Sequence, residues 1–375
     1  MKFLFLCGSL EPGRDGVGDY VRQLAGELLR KGHEAVGISL NDQYVTQEDF
    51  ISPVLAKEEL LLLRLPANWP ATRRFQRAHQ WVEEFQPDWI SLQFVPHAFH
   101  SKGLPFFLGK YLRRLTQGWP VHLMMHEAWV GSEPGTDLKR LLISMLQEAL
   151  IIRMIKRIEP AVIHTHLPLY SERLARRGWR VLPLPLFSNI PVAQQALKRE
   201  ASTLFRVGIF SQVDTGSDFL AFIASLAAHV ASQRPFQVLL IGGAASRMQQ
   251  LQTTLESIAS LRGSVHYTGF LAPAQVSEAL QSCHLGITGV PRHALGKSGS
   301  VAAFLAHGIP VAAPLVHPDY PADDIGFFSP DLCVAILLTP TIDSFEAAQA
   351  AARVAQPLIR LSSIAQTFLV DLTRQ

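Results

Sequence analysis

The chain alternates short, almost wholly apolar runs with longer stretches in which apolar positions recur every three or four residues. "KFLFLC" gives way to "VGDYVRQLAGELLRKG" and then "HEAVGIS", and further on "DWISLQF", "WPVHLMMH", "AVIHTH" and "WRVLPLPLF" read as strands with helical segments between several of them. Apolar runs of this kind belong to strands buried on both faces, and their alternation with amphipathic helices predicts βαβ units and a parallel sheet. The polar, Pro-containing stretch "SNIPVAQQALKREAST" interrupts the rhythm. It restarts with "LFRVGIF", "SDFLAFIASLAAHVASQ", "FQVLLIGG", "SRMQQLQTTLESIASL", "SVHYTGF", "PAQVSEALQS" and "CHLGITGV". The expected organisation is α/β, with two doubly wound Rossmann-like domains over 1–187 and 204–355 and a linker over 188–203. A helical stretch over 356–375, broken at Pro357, is expected to cross back and brace the first domain. In such sheets ligands bind beyond the carboxyl ends of the strands. The cleft between the halves is therefore where chemistry is expected.

A chain of 375 residues exceeds what one core supports, and its 48% apolar content supplies two. With 17% charged residues and no low-complexity tract, disorder is excluded. The first apolar run spans about six residues, short of the roughly 7–15 of a secretory signal, and no stretch approaches the ~18 of a membrane span. A cytoplasmic protein is expected. Cys7, Cys283 and Cys333 are odd in number and widely spaced, which suggests buried free thiols. Net charge is +3, with 23 basic against 19 acidic residues in the first 190 and 11 against 12 in the rest, too small an excess for nucleic acid to be a partner.

Residues 296–300 read "GKSGS", and a lysine with hydroxyls and free backbone N–H groups at a helix start suits an anion. The P-loop pattern is excluded, because Pro291 stands where its first glycine is required. In the first half, Gly13, Gly16 and Gly18 follow the first strand and open a helix, without the spacing of a dinucleotide fingerprint, and Asp19 falls in the first helical turn. His126 and Glu127 lie just past a strand end. His164 and His166 alternate along a strand, but no third ligand accompanies them, so a metal site is not expected.

Three blocks, in order, resemble the glycosyltransferases of GT-B fold, in particular the family 4 type. "DGVGDYVRQLAGELLRKGHEAVGIS" is similar to that family's "GGVG" loop, helix and "GHEV" strand. "IGGAASRMQQLQTTLESIAS...SVHYTGFLAPAQVSEALQSCHLGI" resembles its second domain, and "AAFLAHGIPVAA" resembles its "EAMACGTPVVA". The similarity implies a nucleotide base near Phe270 and Leu271 and a sugar contact from His126. The departures are specific. The family's two glutamates, eight positions apart, correspond here to Leu295 and Ala303, and its diphosphate-gripping Arg and Lys are missing from "SQVDTGSDF". Lys297, with Ser298, Gly299 and Ser300, is then the expected diphosphate site, and Arg292 a second cation.

The resemblance implies transfer of a hexose-like unit from an NDP-sugar donor to a hydroxyl acceptor, the acceptor entering near Gly16–Gly18 and His126, with no metal or other cofactor. Retention of configuration is implied; an inverting course would need a base, for which Asp19 and Glu127 are the candidates. The alternative is a catalytically silent GT-B module that binds a nucleotide or a partner enzyme. The cationic, amphipathic "ALIIRMIKRIEP" and "SERLARRGWR" leave two readings open, a solvated helix face or peripheral contact with the inner face of a membrane.

Overall fold

The computed structural model describes residues 1–55, 58–129, 138–193, 204–211 and 216–374. The expected linker from 194 onward, and 212–215 of "SQVDTGSDF", lie outside them. The chain divides into two compact units. One is formed by Met1–His166, Tyr170–Leu184 and Ala365–Gln375, the other by Leu167–Leu169 and Pro185–Ile364.

The first unit contains strands β1 (Lys2–Cys7), β2 (Glu34–Asp42), β3 (Asp49–Ile51), β4 (Val54–Leu55), β5 (Glu58–Glu59), β6 (Leu61–Pro66), β7 (Trp89–Phe94), β8 (Val121–Met125), β9 (Val162–Thr165) and β10 (Leu182–Pro183). Its helices are α1 (Gly16–Arg30), α2 (Ala71–Phe85), α3 (Leu108–Thr116), α4 (Leu138–Ile158) and α5 (Pro168–Ala175), the last starting in the other unit. Eight strands form one sheet in the order β10-β9-β8-β7-β1-β2-β6-β3, parallel except for β3, which runs antiparallel to β6; β4 and β5 pair separately. The chain leaves β1 toward β2 on one side and returns at β7 on the other, so the switch point lies between β1 and β7.

Asp15 caps α1, its Oδ1 accepting from the Gly18 N–H at 2.7 Å. The loop after β1 is tied to the end of β2. Buried Asp42 accepts from the Leu10 and Tyr44 N–H groups, the Ser39 hydroxyl and Arg64. Burial pushes the Asp42 carboxyl up, but its hydrogen bonds from Arg64 and the two backbone amides outweigh this and hold it below its ordinary value. In dinucleotide-binding folds an acid near this place grips a ribose; Asp42 is instead turned inward.

The second unit contains β11 (Phe205–Phe210), α6 (Ser217–Ala231), β12 (Phe236–Ile241), α7 (Ala245–Glu256), β13 (Val265–Tyr267), α8 (Pro273–Gln281), β14 (Leu285–Ile287), α9 (Gly299–Ala306), β15 (Val311–Ala312), α10 (Pro330–Val334), β16 (Ile336–Leu337) and α11 (Phe345–Ala355). Its six strands are all parallel, in the order β13-β12-β11-β14-β15-β16, with the switch point between β11 and β14. There α9 lies close to the sheet. A Cβ at Gly208 would stand 2.9 Å from the Phe304 ring and one at Gly286 2.5 Å from it, so glycine on both strands is what lets this helix approach.

A final helix, α12 (Leu361–Thr373), belongs to the first unit from Ala365 onward. Its Ala365, Phe368, Leu369 and Leu372 are buried, and the Phe368 ring packs 5.7 Å from that of Phe3 and 6.3 Å from that of Phe5. One helical stripe thus covers part of a face of the first sheet. Among the described residues, no helix is long and apolar enough to cross a membrane.

Candidate functional site

The carboxyl edge of the second sheet presents its loops in strand order. Thr268–Phe270 follows β13, Gly242–Gly243 follows β12, Ser211 follows β11, and 288–298 follows β14. Phe270 is 92% exposed, projecting just past Gly269, whose φ is +73°, while Leu271 is half-buried against the core. Ser211 is a non-glycine residue at φ +65°, a local strain of the kind found at ligand sites. From β13 to β14 is three strand spacings, about 14 Å.

A tight turn, Arg292–Lys297, leads from β14 into α9. Lys297 is exposed. Ser298 is the N-cap of α9: its Oγ accepts from the Val301 N–H at 3.4 Å and lies 3.1 Å from the Ser300 Oγ. Gly299 and Ser300 form the exposed or half-buried first turn, where the helix dipole favours an anion. Lys297, Ser298, Gly299 and Ser300 are thus brought together at one helix start. Arg292 serves differently from the expected second cation. Its Nε, Nη1 and Nη2 donate to the carbonyls of Ala313, Ala322 and Leu338 at 2.9, 2.8 and 2.8 Å, which clamps the loops after β15 and β16. Leu295 and Ala303, the positions of the two family glutamates, are 1% exposed and part of the apolar core. A carboxylate at either would have no water.

In the first unit, Gly16 opens α1 and faces open space. Gly18 does not make room for a ligand: a Cβ there would stand 2.6 Å from the Ser9 carbonyl oxygen, so its missing side chain accommodates the protein's own loop. Asp19 accepts from the Gly13 N–H at 3.1 Å and pairs with Arg22, which holds the same loop. Glu127 is half-buried beyond β8, its N–H reaching the Phe94 carbonyl at 3.4 Å.

His126 is buried, and both ring nitrogens have protein partners. Its Nε2 is 2.8 Å from Gln93 Oε1, and its Nδ1 is 3.0 Å from His166 Nε2, whose own Nδ1 donates to the Leu184 carbonyl at 2.7 Å. The expected sugar contact therefore has no uncommitted ring nitrogen to carry it. The contacts continue through Gln93 to Ser91 at 2.7 Å, to His122 at 2.7 Å, to His164 at 3.0 Å and to Asp371 of α12 at 3.1 Å. Burial pushes His122 and His126 well below the ordinary histidine value, with neighbouring imidazoles adding to it. It takes His166 down to about 4, against the upward pull of the Leu184 carbonyl. Among the described residues, no three His, Cys, Asp or Glu side chains converge to hold a metal ion. Ser91, Gln93 and Asp371 carried no sequence signal, since only cross-strand register and the docking of α12 join them to the histidines.

The surface of α4 has an inverted half. In Leu138–Gln147 the buried residues are polar, Ser144 and Gln147 at 1% exposure, while Leu138, Leu141, Leu142, Met145 and Leu146 form an exposed stripe with Leu142 and Met145 at 59%. Gln147 Nε2 donates to the Lys102 carbonyl at 3.0 Å, so the segment bearing exposed Phe106 and Phe107 runs beside this helix. Residues 100–117 carry four basic and no acidic side chains and Leu138–Ile158 five basic and one acidic, net +8 in a chain of net +3. Over 149–160 the apolar side, Ile151, Met154, Ile155 and Ile158, is core and Arg153 and Lys156 are exposed, the solvated-face arrangement, while the exposed apolar stripe precedes it.

No protein-family model matches the chain, and no match is found among curated proteins. Solved structures do resemble it along its whole length. HepE of Anabaena in complex with UDP shares 14% identity at a TM-score of 0.61, covering 100% of both chains. Sucrose-phosphate synthase of Thermosynechococcus elongatus shares 15% at 0.59, covering 100% of this chain and 98% of the other. A structure described as a UDP-N-acetylglucosamine 2-epimerase, of Listeria monocytogenes, shares 10% at 0.57, covering 99% and 95%. At these identities the likeness defines the fold: two Rossmann-like α/β units of the GT-B class.

Proposed function

We propose that the protein is a family 4-like glycosyltransferase that moves a sugar from a nucleoside diphosphate donor to a hydroxyl acceptor. The observation that carries this reading is the carboxyl edge of the second sheet. It sets an exposed aromatic ring, Phe270, in the loop after β13 and exposed Lys297, at the start of α9, in the loop after β14, two strands about 14 Å apart in the sheet. That spacing suits an extended nucleotide, its base on the ring and its diphosphate at the helix N-terminus. The likeness to HepE, solved with UDP and with UDP-glucose, supports a uridine donor.

In the reaction, the acceptor oxygen bonds to the anomeric carbon as the bond from that carbon to the diphosphate oxygen breaks. The acceptor proton leaves with the nucleoside diphosphate. Lys297 and the α9 amides stabilise the charge that builds on the departing diphosphate, so no metal is needed for that role. With Leu295 and Ala303 in the core, the ribose grip of the family pattern has no carboxylate here. The same two positions and the committed ring of His126 are what a second reading would rest on, a catalytically silent GT-B module that binds a nucleotide or a partner enzyme, and the likeness to sugar-transferring enzymes speaks against it. Incubation with UDP- and GDP-sugars and a panel of hydroxyl acceptors separates these two from each other and from the epimerisation that the Listeria neighbour's description names. Release of nucleotide matched by glycosylated product supports transfer, an altered sugar nucleotide without acceptor product supports epimerisation, and binding without turnover supports the silent module.

The inverted face of α4 supports peripheral work at a membrane. Its leucines and Met145 suit the acyl boundary, and the +8 of the two segments suits anionic headgroups.

A further inference from the structure

Seven contacts join the buried groups of the first unit, from the Leu184 carbonyl through His166, His126, Gln93, Ser91, His122 and His164 to the Asp371 carboxylate. Each contact needs one hydrogen, and both ends can only accept. Four neutral imidazoles, one hydroxyl and one amide N–H supply six. With the four imidazoles neutral and Asp371 ionised, the array is one hydrogen short whichever tautomers are chosen.

The orientation of the Gln93 amide decides which branch carries the gap, and the tautomers decide where in that branch it falls. With Nε2 donating to Ser91, hydrogens run from Ser91 to His122, His164 and Asp371, and the gap lies between His126 and His166, with no anion beside it. With the amide reversed, hydrogens run from Gln93 to His126, His166 and the Leu184 carbonyl. The other branch can then turn round, Ser91 donating to Gln93, His122 to Ser91 and His164 Nδ1 to His122, which puts the gap at His164 Nε2 and Asp371, 3.1 Å apart and the one place in the branch beside an anion. A proton placed there completes all seven contacts and forms a charge-assisted pair.

We infer that the first unit holds one bound proton at this place, His164 being an imidazolium against Asp371, and that this proton clasps α12 to the sheet. The groups that face the array are Asp371 and Phe368 of α12, Tyr20 of α1, and the histidines of β8, β9 and the residues just after them. Among the described residues, no lysine, arginine or second carboxylate pairs with it. Of the four rings, His164 alone touches an anion, and burial drives the other three toward their neutral forms. Loss of the proton sets the His164 lone pair against the carboxylate, so α12 loses its ionic anchor and keeps only its apolar stripe. The inference stands apart from any reading of the reaction.

Long-range proton–nitrogen NMR of the full-length protein at pH 7.5 tests it. The expected spectrum contains one slowly exchanging ring with both nitrogens protonated, assigned to His164 through its proximity to the Asp371 side chain, since the Phe368 ring lies nearer to His122. In Asp371→Asn the amide can turn a donor toward His164, six hydrogens become seven, and the doubly protonated ring is expected to disappear while the four rings stay buried and neutral. Four neutral rings in the parent would overturn the inference, and so would a doubly protonated ring that persists in Asp371→Asn. Should the variant not fold, the parent spectrum alone decides between the outcomes.

Discussion

His126 and His166 meet ring to ring, Nδ1 to Nε2 at 3.0 Å, with the edge of Tyr20 against both. That contact makes His126 a member of a buried polar array before it is anything else. His126→Ala leaves His166 Nε2 and Gln93 without their partner, which costs about 1–3 kcal/mol for each unsatisfied group. The urea midpoint of the first unit should fall while nucleotide binding by the second is unchanged. An unaltered unfolding curve with lost turnover would return the ring to the substrate.

The same burial sets an acid limb to stability. His122, His126 and His166 have folded values below the ordinary one, the last at about 4, whereas the unfolded chain takes up protons near about 6.5. Stability is therefore present above pH ~6.5 and lost as pH falls, by up to about 1.4 kcal/mol per pH unit for each ring. Urea titrations at pH 7.5, 6 and 5 should show the midpoint dropping. An invariant midpoint would mean that the rings are already charged in the folded state.

Ala303→Glu restores a family carboxylate on paper and buries it in practice. At 1% exposure among core residues such a group costs several kcal/mol unless it stays protonated. The expected result is a large fall in melting temperature with no gain in turnover; a stable, faster variant would show that this helix face opens to the donor.

The course of the strands was legible because most positions of both central strands are buried, so "KFLFLC" and "FRVGIF" stand out as predominantly apolar runs, each with a single basic residue, Lys2 and Arg206. The Lys297 loop was legible for a local reason, polar residues just ahead of a small-residue helix. The histidine array was not. It depends on the pairing that sets Ser91 opposite His122 and Met124 opposite His164, and on a helix more than two hundred residues along the chain that brings Asp371 to His164. The role of Arg292 was hidden for the same kind of reason, since its three carbonyl partners come from loops after other strands. The face of α4 was missed because its polar buried residues reverse the usual sense of an amphipathic helix.

Leu142→Ser combined with Met145→Ser removes exposed apolar surface without touching the core. In co-sedimentation, the parent should bind vesicles containing phosphatidylglycerol more than pure phosphatidylcholine, with binding reduced by salt and by the double substitution. Binding to neither vesicle, with a salt-insensitive dimer lost in the double variant, would assign the stripe to a second copy of the chain instead.

In the proposed complex a nucleoside diphosphate lies along the second sheet's edge between Phe270 and Lys297. Calorimetric titration with UDP and GDP, each beside its nucleoside, tests it in the parent, Lys297→Ala and Phe270→Ala. Lys297→Ala should lose a charge-assisted contact of about 1.5–3 kcal/mol, roughly ten- to a hundredfold in diphosphate affinity, and bind the nucleoside as the parent does. Phe270→Ala should weaken nucleoside and diphosphate alike by about 1–3 kcal/mol. Absence of binding by the parent at millimolar concentration, or equal diphosphate affinity in all three proteins, would contradict this placement.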